Sequence, residues 1–423
     1  MITTEIYKDK SKLIDELFFI CLVASIVTLP FSMRINSIAI FTLSFVWLIQ
    51  NSFSRLLNTL KSNKLFYLNV SLYLVTLASM LYTQNKAYGK FELEKQFSLL
   101  LFPIIAASSK ALTTKKINRL LWAFLLANFI LGATGLLYAT YCYIRYELNY
   151  FFYHDLVTLF NFHATYYSIY LMLSICIVIH LYHNDPVVSN RFRKASLFIL
   201  VAFFTLLIFL LSIRFIIVFF CFGALVGIVI YAIKKRNLLL GIVLICGFAG
   251  LVYFAISKNT VLKARLMQIK ENHKYEFSEL NIYNGFTTRL AQWECSYIII
   301  KKQPLFGVGI GDTQDELQVE YKKNFLHYSF KDKFNAHNQY FQTTLGLGLV
   351  GLVTLVSTLL VAVIVAYRRR NFLYLAFIII FSACCLTEST LCTQYGVVFY
   401  AFFNSFFAFK MLGGNKSIEL NGN

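Results

Sequence analysis

The stretch "FNAHNQYFQTTLGLGLVGLV", Phe334–Val353, opens on four polar side chains, Asn335, His337, Asn338 and Gln339, and then turns apolar, dotted with Gly346, Gly348 and Gly351. The run continues without a charge to residue 366. A helix needs about 20 apolar residues to cross a hydrocarbon core of about 30 Å, so this segment is long enough to span a membrane. Similar runs recur along nearly all of the 423 residues, which are 58% hydrophobic, 17% aromatic and only 14% charged. No ordinary soluble domain has that balance. Because unpaired backbone amides are costly in lipid, the spans are expected to be helices, and the short alternating strands of a β-barrel are absent from the pattern.

The reading gives an all-α polytopic membrane protein of about twelve spans: roughly 13–30, 35–53, 65–83, 93–109, 118–142, 164–182, 196–212, 214–233, 238–256, 338–366, 371–387 and 394–412. Charge sets the orientation. With a cytoplasmic N-terminus, the inside segments hold 21 of the 39 basic residues, among them Arg55, Lys61, Arg368, Arg369, Arg370 and Lys416. The short outside loops hold six, and the remainder fall in one long loop that the positive-inside rule does not count. Both termini are therefore expected in the cytoplasm. The net charge of +19 is mostly this topology signal and suits anionic membrane lipids; no contiguous basic face suggests nucleic acid.

Three regions follow: spans one to nine over 1–256, a large extracytoplasmic loop over 257–336, and spans ten to twelve with a cytoplasmic tail over 337–423. Within the loop, "TTRLAQWECSYIIIKKQP" places Leu290, Trp293, Tyr297 and Ile300 at helical spacing, and "TQDELQVEYKKNFLHYSF" reads as a second amphipathic helix. Both are expected to lie on the membrane surface. Between them "PLFGVGIGD", with Gly309 central, permits a tight turn or a close backbone approach to a ligand. The nine cysteines lie mostly in apolar spans with no metal-ligand or disulfide spacing. The N-terminal apolar stretch lacks a small-x-small cleavage site and reads as a retained first helix.

Ionisable groups near a membrane are the natural candidates for chemistry, since insertion of a charge at the bilayer centre costs about 2.5–3.5 kcal/mol. Arg214 in "FLLSIRFIIVFF" sits where one helix ends and the next begins, with Ser212 expected as the new N-cap. A guanidinium beside free helix-terminal amides suits a phosphate or diphosphate; snorkelling to headgroups is the plainer alternative. Arg289, one turn before Trp293, is in isolation a solvated cation. His337 is a suitable general base for a hydroxyl, or simply a capping residue beside Asn338. Glu388 in "CCLTESTL" would orient a cation or histidine, or face water. His163 ends a tyrosine-rich outer loop, "NFHATYYS". All of these fall on one side of the topology, which fits a lipid-linked phosphorylated donor whose tail stays in the bilayer.

"GFTTRLAQWECSYIIIKKQPLFGVGIGD" followed by "NAHNQYFQTTLGLGLVGLV" resembles the signature region of the O-antigen ligase and O-antigen polymerase superfamily of bacterial membrane glycosyltransferases. "LLSIRF" matches that family's arginine after a leucine-serine run, and "LTESTLCTQYGVVFYAFF" its C-terminal end. The resemblance implies a type C glycosyltransferase fold in the bacterial inner membrane, with the active site facing the periplasm. It implies an undecaprenyl-diphosphate-linked glycan as donor, lipid A core or a protein hydroxyl as acceptor, and neither metal nor other cofactor. Carried over by position, Arg214 and Arg289 hold the diphosphate and His337 activates the acceptor, with Asn338, Glu388, His163, Trp293 and Gly309 as further candidates for contact with substrate. A polymerase joining lipid-linked repeat units would use the same donor chemistry. A transporter or flippase would instead need polar groups through the middle of several spans and, by preference, internal repeats, and neither is found.

Overall fold

Charge-free apolar runs broken by Asn, Pro and basic clusters give a chain of helices in the computed structural model, which describes residues 2–51, 61, 63–188, 190–271 and 285–411. Arg55, Lys416 and residues 272–284 of the long loop lie outside the described residues. Among the described residues every regular element is helical: α1 (Ile2–Val27), α2 (Met33–Gln50), α3 (Lys64–Ser79), α4 (Lys86–Gln96), α5 (Ser98–Ser108), α6 (Thr114–Tyr146), α7 (Ala164–Asn184), α8 (Arg191–Leu211), α9 (Arg214–Lys235), α10 (Leu238–Lys258), α11 (Thr260–Glu271), α12 (Thr287–Lys302), α13 (Thr313–Lys323), α14 (His327–Lys331), α15 (Gln339–Arg368), α16 (Phe372–Cys384) and α17 (Gln394–Phe406), with short 3₁₀ and π turns between and after them.

Seven of these helices, α2, α6, α7, α8, α9, α10 and α15, are long and apolar enough to cross a membrane, and α3 and α16 are shorter apolar helices. The protein is thus an all-α polytopic membrane protein. The fourth expected span, 93–109, is divided at Phe97 into the charged α4 and the apolar α5, each of 11 residues. Lys86, Lys90, Glu92, Glu94 and Lys95 make α4 a polar element, so hydropathy fixes only the second half of that segment.

The chain divides into two compact units, Met1–Phe124 with Tyr275–Asn423, and Leu125–Lys274. In the first, α5 packs on α17 and α15 packs on α3, α12 and α16. Its core is aromatic: Phe377, Phe381, Phe399, Tyr400, Phe403 and Phe407 interlock, with Phe381 stacked on Tyr400 at 4.4 Å. Phe124 meets Phe403 edge-on at 4.9 Å. Ring pairs of this kind add about 0.5–1.5 kcal/mol each beyond area burial. Buried polar side chains pair across helices, as Tyr374 donates to Asn404 at 2.7 Å.

In the second unit α7 packs on α8, and α9 on α10. Helix α7 is buried for most of its length, whereas α10 exposes Leu239, Ile242, Leu251, Tyr253 and Phe254, the surface expected to meet lipid.

The described part of the long loop contributes to a buried core. Ala291, Cys295 and Ile299 of α12, Leu317 and Tyr321 of α13, Leu326 just before α14 and Leu345 of α15 form one buried cluster. This corrects the apolar face read from the sequence: Tyr297 is half exposed, while Ala291, Gln292, Cys295, Ser296 and Ile299 are buried. Small residues define the buried stripe because α12 sits close against its neighbours, and Gln292 is accommodated there by donating to Ser329 Oγ at 3.0 Å.

Candidate active site

The local backbone around His337 is built from asparagines. Asn338 caps α15 by accepting from the amides of Tyr340 and Phe341, and its Nδ2 donates to the Leu386 carbonyl at 3.0 Å. Asn335 accepts from the His337 amide at 2.9 Å. Between them His337 adopts φ +46°, a left-handed conformation that costs a non-glycine residue about 1–2 kcal/mol. The neighbouring turn after α16 is stitched on by Gln339 N–H to Cys385 O at 2.8 Å, Leu391 N–H to Gln339 Oε1 at 2.7 Å and Asn338 N–H to Ser389 Oγ at 3.2 Å.

That stitching delivers Glu388 to the histidine. The Glu388 side chain is buried, with Oε1 3.1 Å from His337 Nδ1 and Oε2 3.5 Å from Arg289 Nη2. As a carboxylate it only accepts, so the contact is made by His337 Nδ1–H. A buried carboxylate is tolerable because two donors face it. His337, Arg289 and Glu388, 99 positions apart at the extremes, therefore form one connected group.

Trp293 lies one turn beyond Arg289 and stacks on Phe341 of α15 at 6.0 Å and 12°. Arg289 Nε and Trp293 Nε1 are both buried with no hydrogen-bond partner among the described residues. Leaving such donors unpaired costs about 1–3 kcal/mol each, and an oxygen-rich ligand would relieve that cost.

The glycines serve the backbone. Gly348 has φ +63° and ψ −162° inside α15, a conformation essentially reserved for glycine, and it breaks the helix. The freed groups are taken up by the "PLFGVGIGD" loop: Val308 and Gly309 N–H donate to Leu345 O and Gly346 O at 2.9 and 3.0 Å, and Leu349 and Val350 N–H donate to Pro304 O and Leu305 O at 2.8 and 3.3 Å. Irregular backbone in an apolar helix is tolerable where protein supplies the missing partners. Gly309, φ +96°, lies against Thr83, where a Cβ would collide with that side chain. Gly348 thus opens the helix to receive a loop, while Gly346 allows close approach to Thr313 of α13. Asp312 completes the anchorage by accepting from the Gln84 and Asn85 amides at 2.8 and 2.7 Å.

Arg214 and His163 belong to the second unit. Ser212 does not cap α9; it is the C-cap of α8, at φ +54°, and accepts from Asn259 Nδ2 at 2.9 Å. The chain must reverse there in two residues, so Ser212 takes the left-handed position that ends α8 and Ile213 becomes the N-cap, with no side-chain cap. The first-turn amides of α9, beside Arg214, thus keep the anion-favouring character of an open helix N-terminus. Arg214 also lines an apolar cavity of about 390 Å³ with Ile217, Phe222, Leu225, Val252 and Leu266. His163 caps α7 by accepting from the Thr165 amide at 3.3 Å and packs edge-on against His154 at 4.3 Å.

The comparison with known families bears on this arrangement. Residues 197–356 match the O-antigen ligase family. The matched segment contains Arg214, Arg289, Trp293, Gly309, His337 and Asn338, and stops short of Glu388. It supports an O-antigen ligase- or polymerase-type membrane glycosyltransferase. No curated protein matches the sequence. Among the described residues no group of three or more His, Cys, Asp or Glu is placed to hold a metal ion.

Of the alternatives open to Glu388 in the sequence, contact with a cation or a histidine or with water, the structure shows the first two together, because the Asn338–Gln339 contacts to the 385–391 turn set its distance to His337, 51 positions away. The Gly348 break was missed, although two glycine clusters of similar length, 307–311 and 346–351, were its visible signal.

Proposed function

We propose that this protein is an O-antigen ligase-type glycosyltransferase that moves a glycan from undecaprenyl diphosphate to a saccharide hydroxyl of lipid A core or to a protein hydroxyl, on the periplasmic side of the bacterial inner membrane. The observation that carries the reading is the His337–Glu388–Arg289 group. In the proposed step His337 Nε2 takes the proton of the acceptor hydroxyl as that oxygen attacks the anomeric carbon. The bond from the anomeric carbon to the diphosphate breaks, and its electron pair leaves with undecaprenyl diphosphate. Glu388 holds the imidazole in the required tautomer and stabilises the imidazolium that forms, the role a carboxylate plays beside a catalytic histidine in hydrolases.

Arg289 and the Trp293 indole N–H would meet the oxygens of the departing diphosphate. Arg214, with the open N-terminus of α9 and the apolar cavity beside it, is proposed as a second site of contact with the donor, its guanidinium for phosphate and its cavity for the polyprenyl chain. Charge-assisted hydrogen bonds of this kind contribute about 1.5–3 kcal/mol each, which lets fixed cations stabilise the leaving group without a divalent ion.

The test uses purified protein with a lipid-linked donor. His337→Ala is expected to lower the transfer rate roughly 10²–10⁴-fold, while donor binding persists. Transfer at the parental rate would remove the assigned base. Product mass analysis separates the two family reactions, since a chain extended on undecaprenyl diphosphate identifies a polymerase.

A further inference from the structure

A second cavity, in the first unit, shares the segment that carries His337 but is lined by neither His337, Glu388 nor Arg289. It encloses about 150 Å³, far above the ~10–15 Å³ one water requires, and lies among α3, α4, the start of α13 and residues 333–347. Its walls are rich in carboxamides: Gln96, Gln314, Asn335, Gln339 and Gln342 all line it. Asn335 and Gln342 spend their oxygens on the His337 and Ala336 amides, which fixes both side chains at the rim. Gln314 Nε2 is buried with no hydrogen-bond partner among the described residues.

Three charged side chains line the cavity, Glu92, Lys95 and Lys333. Glu92, 5% exposed, is paired with Lys95 at 2.6 Å, and both line the space. A phosphate would meet the Glu92 carboxylate, and a divalent cation would find a single carboxylate already neutralised by a lysine. An apolar chain would strand the amides. The lining instead combines carboxamides, the hydroxyls of Thr76, Thr313 and Thr343, and the Tyr88 ring, which suits an uncharged ring bearing several hydroxyls.

We infer that this cavity is the subsite for one sugar residue of the acceptor. Identifying the sugar as the acceptor's rests on the proposed glycosyl transfer: the cavity and the proposed base share the 335–342 segment, whereas the group assigned to the diphosphate, Arg289, lies outside the lining. Gln314 and Gln96 then act as specificity residues that position a hydroxyl-bearing ring, and take no part in bond making.

Binding of free hexoses and N-acetylhexosamines to the purified full-length protein in detergent, followed by saturation-transfer NMR, tests this without any need for turnover. At least one sugar should bind. Gln314→Met removes no internal hydrogen bond of that Nε2 and should fold normally, yet weaken binding at least tenfold, about 1.4 kcal/mol. Glu92→Gln keeps the side-chain shape and should weaken it as well. The inference is overturned if no sugar binds the parent protein, if both cavity variants bind as the parent does, or if inorganic phosphate occupies the cavity in place of sugar. Glycan transfer that persists in a protein with no sugar binding would sink the subsite and leave the proposed reaction standing. Sugar binding that responds to both variants in a protein without transfer activity would uphold a sugar site and remove the reaction.

Discussion

Glu388 is the residue on which the candidate site turns. It touches both the imidazole and the guanidinium, and its burial makes each contact stronger than it would be in water. Glu388→Gln keeps the shape but lets a neutral amide face the histidine, so the proton on Nδ1 is no longer specified. We expect transfer to fall by roughly 10²-fold or more, with the protein still folded by thermal melting; parental activity would show that the pairing is structural only. A contrasting residue is Cys295. Burial pushes its thiol up to about 12, with the carboxylates of Glu320 and Glu294 adding to the effect. Almost no thiolate exists at neutral pH, and thiol alkylation read by peptide mass spectrometry should leave Cys295 unmodified until the protein is denatured. Both residues were visible in the sequence as types. Their environments were not, because burial and pairing arise from contacts between segments far apart in the chain.

At the level of elements, the break in α15 and the loop that fills it form one structure. Gly348→Ala would place a Cβ against the Leu305 carbonyl and force a conformation that alanine avoids. Several kcal/mol of destabilisation is expected, read as a lowered melting temperature and early protease cleavage in the 285–340 region. Asp312→Ala should cost less, about 1–3 kcal/mol, because it leaves the Gln84 and Asn85 amides without their acceptor but breaks no helix. The sequence located α12 and α13 and the glycine turn between them. It misplaced the buried face of α12, since Trp293 and Tyr297 dominate any hydrophobicity pattern while the tight contact actually selects Ala291 and Cys295.

For the molecule as a whole, orientation is an expectation from charge asymmetry, and it is open to direct test. A single cysteine at Val319, an exposed position of α13, should react with a membrane-impermeant maleimide in intact cells. One at Arg369, in the basic cluster after α15, should react only after the inner membrane is permeabilised. Reversed labelling would invert the topology and with it the proposed periplasmic chemistry.

By itself the sequence determined that the chain is helical and built for a membrane, because hydropathy and the cost of unpaired amides in lipid act on each segment locally. It also marked the polar residues at the start of α15 and the arginine of α12 as candidates, since charge near hydrocarbon is costly wherever it occurs. Only the tertiary structure decided that Glu388 joins His337 to Arg289, that Ser212 closes α8 instead of opening α9, and that Gly348 yields its helix to a distant loop. Those outcomes depend on which backbone groups find partners once helices pack, and such pairings are set by contacts that no local pattern encodes.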